Sequence, residues 1–482
     1  MVSRLVWFIR QKQTASQKET TRVKPSRSSI HRKFHTLPDI RFEDQALTSF
    51  SGLVVFQALF AKLDIKERLR ACFRHLDLSP IFGHHTVILL LVVHLLLGYR
   101  RLRELRFYQD DPMVGRLLGL SRLPDIATVS RALASADAQS ADKTRSLFRT
   151  LVLDRLRLAN FGRITLDFDG SVQSTRRAAE GTAVGFNKKR KGDRSYYPLF
   201  CTVAQTGQVL DFFHRSGNVH DSIGARAFIL ACIRAVRAAL PGVRIEVRMD
   251  SAFFSDEIVT ALDQHSVDFT ISVPFERFVE LKAMIEGGAL HWRRCGCDLA
   301  FVEPAWKPKS WNRGFRFLFV RHEVKIRDKE PVQLDLFIPT LTGFDFKVIV
   351  TNKRARPKKI LAFHNGRGAQ EAVFAELKSQ CQMDYVPVRT RIGNQLYLCS
   401  AILAHNLARE LQMQAEPLPH RHTTEKRSPR WIFEEIHTLR RHLLQRAARL
   451  IRPQGRLTLV MSANAAVRDK LLHYLRPFDL AA

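Results

Sequence analysis

Hydrophobic and polar positions along the chain follow two periods, and the change from one to the other divides it. From residue 45 to about 160, apolar residues recur at helical spacing with few β-branched runs, which predicts a helical region. Its most apolar stretch, TVILLLVVHLLLGYRR, is uninterrupted for only about a dozen residues, with His94 inside it. Spanning a bilayer takes about 18 or more, so a buried helix is expected and His94 reads as a core histidine. At residue 163 the period becomes two. RITLDFDGS puts Ile164, Leu166 and Phe168 on one strand face and Thr165, Asp167 and Asp169 on the other. A hairpin through YYPLFCTVAQTGQVLDFFHRSG, a helix closed by Pro241-Gly242, a strand in VRIEVRMDSAFF, a Ser-capped helix and a strand in DFTISVPF follow. That order predicts an α/β fold, a mixed sheet flanked by helices.

From 276 to 345 the alternation stops. This stretch holds Trp292, Trp306 and Trp311 with strand-like FRFLFVRHEV and VQLDLFIP, and reads as a β-rich insertion. FKVIVTN restores a core strand, and residues 416–430 form a basic, Pro-interrupted linker. An amphipathic helix and a short strand are expected at the C-terminal end. The resulting division is 1–44, a basic disordered arm; 45–160, a helical region; 161–275 and 346–415, two parts of one core; 276–345, the insertion; and 416–482, linker and tail.

Lys and Arg number 77 against 46 Asp and Glu, a net +31 in a chain of 482 residues whose 45% hydrophobic content is globular. Such an excess repels itself unless a polyanion offsets it, and nucleic acid is the favoured partner. The first 40 residues contain acids only at Glu19 and Asp39 and lack the apolar core of a secretory signal. Seven scattered cysteines argue against a disulfide framework and for a reducing interior. His291, Cys295 and Cys297 lack a fourth ligand and the usual zinc spacing. Asp110 and Asp111 read as a turn before Pro112. In LPDIATVSRALASAD, Thr128 is a candidate cap for a short helix bearing Arg131, similar to the second half of a helix-turn-helix.

The candidate chemistry lies in FHNGRGAQEAVFAELK. At about 100° per residue, Arg367, Glu371 and Lys378 form one stripe, while Glu376 points to the opposite side. Two further acids stand at or just past core strands, Asp169 and Asp250. A carboxylate there needs a partner. Either a nearby arginine (Arg248 and Arg367 are candidates) or a hard divalent cation would serve.

TLDFDGS, RMDSAFF 81 residues on and HNGRGAQEAVFAELK a further 121 on resemble the insertion-sequence transposases of the DDE group, which have a ribonuclease-H-like core. The family's third-acid signature is Tyr, two residues, Arg, three residues, Glu, six residues, Lys. Arg367, Glu371 and Lys378 fit it, with His364 in the place of Tyr. The first acid is Asp167 or Asp169, and the small and hydroxyl residues after Asp169 match the family pattern. The resemblance implies metal ligation by Asp169, Asp250 and Glu371, and phosphate contacts by Arg367, Lys378 and His364. It further implies two Mg²⁺ ions, replaceable by Mn²⁺, and double-stranded DNA partners: the element's terminal inverted repeats and a target. A homodimer in the synaptic complex, a bacterial cytoplasmic setting without membrane, and a helical DNA-binding region are expected too. An insertion tryptophan, Trp306 or Trp311, stacks on a flipped base or packs in the core. A catalytically inactive, domesticated DNA-binding protein is the alternative.

Overall fold

The computed structural model describes residues 39–478 apart from 41, 44–45, 77–81, 186, 188–189, 221–222, 289, 297 and 324–343. The basic arm to residue 38, the strand expected in VQLDLFIP and Cys297 therefore lie outside the described residues.

The helical region carries α1 (Leu53–Lys62), α2 (Ile65–Cys72), α3 (His84–Leu96), α4 (Pro112–Leu118), α5 (Ile126–Ser135) and α6 (Ala138–Ala159). The apolar run is α3, buried along nearly its whole length. Among the described residues no helix is long and apolar enough to cross a membrane. His94 is fully enclosed, and its Nδ1 pairs with the Tyr108 hydroxyl at 2.7 Å. Asp111 caps α4: its Oδ1 accepts from the backbone of Met113 and Val114 and from the Thr48 hydroxyl, with Pro112 at the first helical position. The cap of α5 is Asp125 and not Thr128, because the Thr128 amide donates to Asp125 Oδ1 at 2.6 Å. Thr128 is left inside the helix, bonded to the exposed Arg131 at 3.3 Å.

Nine strands form the main sheet: β1 (Arg163–Gly170), β2 (Leu199–Val203), β3 (Gln208–Phe213), β4 (Arg244–Met249), β5 (Asp268–Ser272), β6 (Arg293–Arg294), β7 (Leu299–Val302), β8 (Arg316–Glu323) and β9 (Phe344–Thr351). Their spatial order is 6-7-8-9-5-4-1-2-3. β1 runs parallel to β4 and β4 to β5, while β2 and β3 form an antiparallel hairpin on the other side of β1. This 5-4-1-2-3 arrangement is the mixed sheet flanked by helices that the sequence predicts. The insertion does not stand apart from it. β8 pairs antiparallel with β9 over eight residues, so β6–β8 widen the same sheet beyond β5. Trp311 packs against Phe254 and Phe317, and Trp306 against Phe278 and Phe317, as core residues of this extension.

Strand alternation sorts the sheet's faces. Ile164, Leu166, Phe168, Val247, Met249, Phe269 and Ile271 pack with α7 (Ala225–Ala239), α8 (Asp256–Gln264) and the end of α6 in one apolar core. Thr165, Asp167, Glu246, Arg248 and Thr270 occupy the opposite face and are buried too. That polar face is covered by α10 (Pro357–Asn365), which follows α9 (Val279–Glu286), and by the linker near residues 424–428. Beyond α10 come α11 (Gly368–Gln380) and the 25-residue α12 (Arg391–Ala415). The latter is enclosed by α3, α5 and α6, so the helical region and the chain's later helices share one core.

The tail differs from expectation. The helix begun at Ile436 becomes a wider π turn over Arg440–Leu444 and stops. Ala448–Ile451 is a strand, not helix. It pairs with Thr458–Met461 and with Leu47–Thr48 in a small separate sheet, a long-range partner that local periodicity does not reveal.

Candidate functional site

β1 and β4 are parallel neighbours in register, Asp167 beside Arg248 and Phe168 beside Met249. The next positions are Asp169 and Asp250, at the carboxyl ends of strands about 4.8 Å apart. The strand period of two places both on the polar face with Asp167 and Arg248. Asp250 then opens a tight turn, its Oδ1 accepting from the Ala252 amide at 3.0 Å.

The two aspartates of β1 have different surroundings. Asp167 is 1% exposed and fully committed: Arg248, itself 0% exposed, donates from Nε and Nη2 at 2.5 and 2.7 Å. Arg248 also donates from Nη1 to the Phe363 and Lys426 carbonyls, tying β4 to α10 and the linker. Asp169 is more open and meets Arg367 Nη1 at 3.0 Å. Both arginines singled out as alternatives to a cation are therefore engaged, one with each aspartate.

The stripe sits at this same end. Arg367 is the N-terminal cap residue of α11, with helical backbone angles that keep its phase with the helix. Gln370 donates to the Asp167 carbonyl at 3.0 Å and docks the first turn of α11 on β1. Glu371 follows, exposed, and Lys378 lies half-buried further along. Glu376 points the other way, as the spacing requires. It is buried against Arg409, His405 and the Ile436 amide, and although burial pushes its pKa up, those partners hold it at about 2.

His364 departs from expectation. It is 2% exposed, with Nδ1 at 3.0 Å from Thr270 Oγ1 and Nε2 at 2.9 Å from Ser272 Oγ. Burial, then the charges of Lys347, Arg367 and Arg248, push its pKa well below the usual histidine value. A neutral ring locked between two hydroxyls fastens α10 to β5, and both ring nitrogens are taken by those contacts. Lys347 was not singled out from the sequence because its strand context is ordinary. Its Nζ donates to Asn365 Oδ1 at 3.0 Å, and burial together with the Arg367 charge lowers its pKa. It adds a further cation beside Arg367.

The donor set at this end, three carboxylates, is the kind a hard divalent cation takes. Among the described residues no three His, Cys, Asp or Glu side chains converge closely enough to enclose an ion. The residues fit such an ion in kind, and at Asp169 the metal would compete with Arg367, whose Nη1 donates to Oδ2 at 3.0 Å.

A family model described as "Transposase DDE domain group 1" matches residues 33–480. No curated protein matches the chain. Among solved structures, a piggyBac transposase synaptic complex with hairpin DNA is 10% identical, covering 90% of this chain and 86% of that one, with a TM-score of 0.42. A Mos1 transposase paired-end complex is 9% identical over 56% of this chain and 75% of that one, with a TM-score of 0.18.

Proposed function

The chain belongs to the transposase DDE domain group 1 family, and from that premise we propose that it cleaves and joins the ends of its own element with Asp169, Asp250 and Glu371. The observation that carries the residue assignment is the β1–β4 register, which sets Asp169 beside Asp250 just where Gln370 docks the Glu371 turn. The three carboxylates would hold divalent metal, Mg²⁺ or Mn²⁺ by their oxygen chemistry. When bound, the metal supplies activation of the attacking oxygen and stabilisation of the leaving one.

The chain's own groups do the rest. Arg367 presents a planar fork suited to two oxygens of one phosphate, and Lys378 a point charge further along the same face. Release of Arg367 from Asp169 frees both groups together, the carboxylate for metal and the guanidinium for DNA. Lys347 adds positive charge beside Arg367. Asp167 takes no part in the chemistry, being committed to Arg248. The DNA partners are the element's terminal inverted repeats and the target duplex, held by two copies of the chain.

The test is strand nicking and joining on DNA carrying the element's ends. Asp169→Asn, Asp250→Asn and Glu371→Gln should each reduce both rates by at least about 100-fold while end binding persists, since removing carboxylates lessens repulsion of phosphate. Normal nicking by any of the three would remove that residue from the site. Binding without cleavage by the unaltered protein would establish the domesticated alternative.

A further inference from the structure

A second basic site lies at the opposite end of β1, about 20 Å from Asp169 at 3.3 Å per residue. There a cavity of about 360 Å³ is lined by Phe161, Arg163, Thr423, Arg427, Ser428 and Arg430. Its charges do not balance. Glu246, 1% exposed, is shared by three cations: Lys353 at 2.5 Å, Arg427 at 2.9 Å and Arg163 at 3.6 Å. Lys353 also meets Asp268, but Asp268 is shared in turn with Arg244. Arg163 Nε is buried and reaches Glu246 only at 3.6 Å, beyond a hydrogen bond, with no other hydrogen-bond partner among the described residues. Arg430 meets no carboxylate among them: it donates to the Arg421 carbonyl and the Thr423 hydroxyl and lies over the Phe161 ring at 5.4 Å.

Three guanidinium groups and two hydroxyls around one cavity meet two carboxylates, Glu246, which Lys353 also engages, and Glu425, 3.9 Å from Arg427 and shared with Lys359, so cations stay in excess and lack an anion. Guanidinium forks match the paired oxygens of phosphate, and hydroxyls donate to the remaining ones. The cavity is larger than one phosphate needs and falls in the range of small-ligand sites, roughly 300–1,000 Å³. We propose that this cavity is a phosphate-binding site, engaging the phosphate of a DNA strand or of a free nucleotide, separate from the carboxylate site. It owes nothing to the assignment of Asp169, Asp250 and Glu371, and each can fail without the other.

The experiment titrates the full-length chain calorimetrically with inorganic phosphate and with thymidine monophosphate, at ionic strength held constant with NaCl. A saturable site is expected, weakened at least tenfold in Arg430→Gln and in Arg163→Gln. Arg430 stands outside the Glu246 ion-pair group, so Arg430→Gln carries the test even where Arg163→Gln disturbs the fold, and melting temperatures identify that case. A random-sequence duplex that displaces thymidine monophosphate stoichiometrically assigns the site to the DNA backbone. A duplex that binds without displacing it assigns the site to a free nucleotide. Absence of saturable binding, or equal affinity in Arg430→Gln and the unaltered chain, overturns the proposal.

Discussion

Asp167 and Asp169 share a strand and a face yet differ in what their loss should do. Asp167 is the buried counter-charge of Arg248, so Asp167→Ala leaves a guanidinium unpaired in the interior, a loss of about 3–5 kcal/mol. The Asp169–Arg367 pair is about 20% exposed on each side, so without Asp169 the guanidinium can still reach water. Asp169→Asn should therefore change folding stability by no more than about 1 kcal/mol. Urea denaturation of the two variants beside a nicking assay separates the roles; equal destabilisation would mean both aspartates are structural. The sequence could not make this distinction. Alternation placed both acids on one face and nominated Arg248 and Arg367, but which arginine meets which acid depends on the β1–β4 register and on the approach of α11, both long-range.

At the scale of elements, the site depends on the joint between α10 and α11. Gly366 lies there with ordinary helical angles, so its value is space and not backbone freedom. A Cβ would stand 1.9 Å from the Lys426 carbonyl and 2.2 Å from Arg248 Nη1. Gly→Ala in a helix ordinarily gains up to about 1 kcal/mol. Here Gly366→Ala should lower the melting temperature, and it should also slow cleavage, because moving the joint shifts Arg367 and the Glu371 turn. A melting temperature at or above that of the unaltered protein would show that the linker gives way freely. Strong local patterns made most elements legible: the α3 run, the β1–β3 alternation, the Glu371 stripe. Two features escaped for the same physical reason. The insertion's strands look autonomous until β8 finds β9, and Ala448–Ile451 looks helical until it pairs with Leu47–Thr48. His364 escaped differently, since a histidine within a basic stretch gives no local sign that two hydroxyls from β5 enclose it.

For the whole molecule, buried titratable groups set how the fold responds to acid. His94 and His214 are pushed down to about 4 and about 3 by burial, and His364 well below its usual value, so all three stay neutral in the native state. In the unfolded chain they take up protons near pH 6.5. The unfolded state thus binds more protons below that pH, and stability falls as pH drops from about 6.5 toward 4. Glu246 and Glu376 add a lower window. Burial raises both, but their cationic partners outweigh it and hold each at about 2, against an unfolded value near 4.3. Their contribution is complete above about pH 4.5 and is lost between there and pH 2. Every proton bound also enlarges a net charge already at +31, so self-repulsion works in the same direction and is screened by salt. The urea midpoint should therefore be level between pH 7 and 8, decline from about pH 6.5, and decline again below about 4.5, with NaCl raising the acid-side values. A midpoint at pH 5 equal to that at pH 7.5 would mean that the three histidines are protonated without cost in the folded protein, and that the enclosure of His364 between α10 and β5 opens readily in solution.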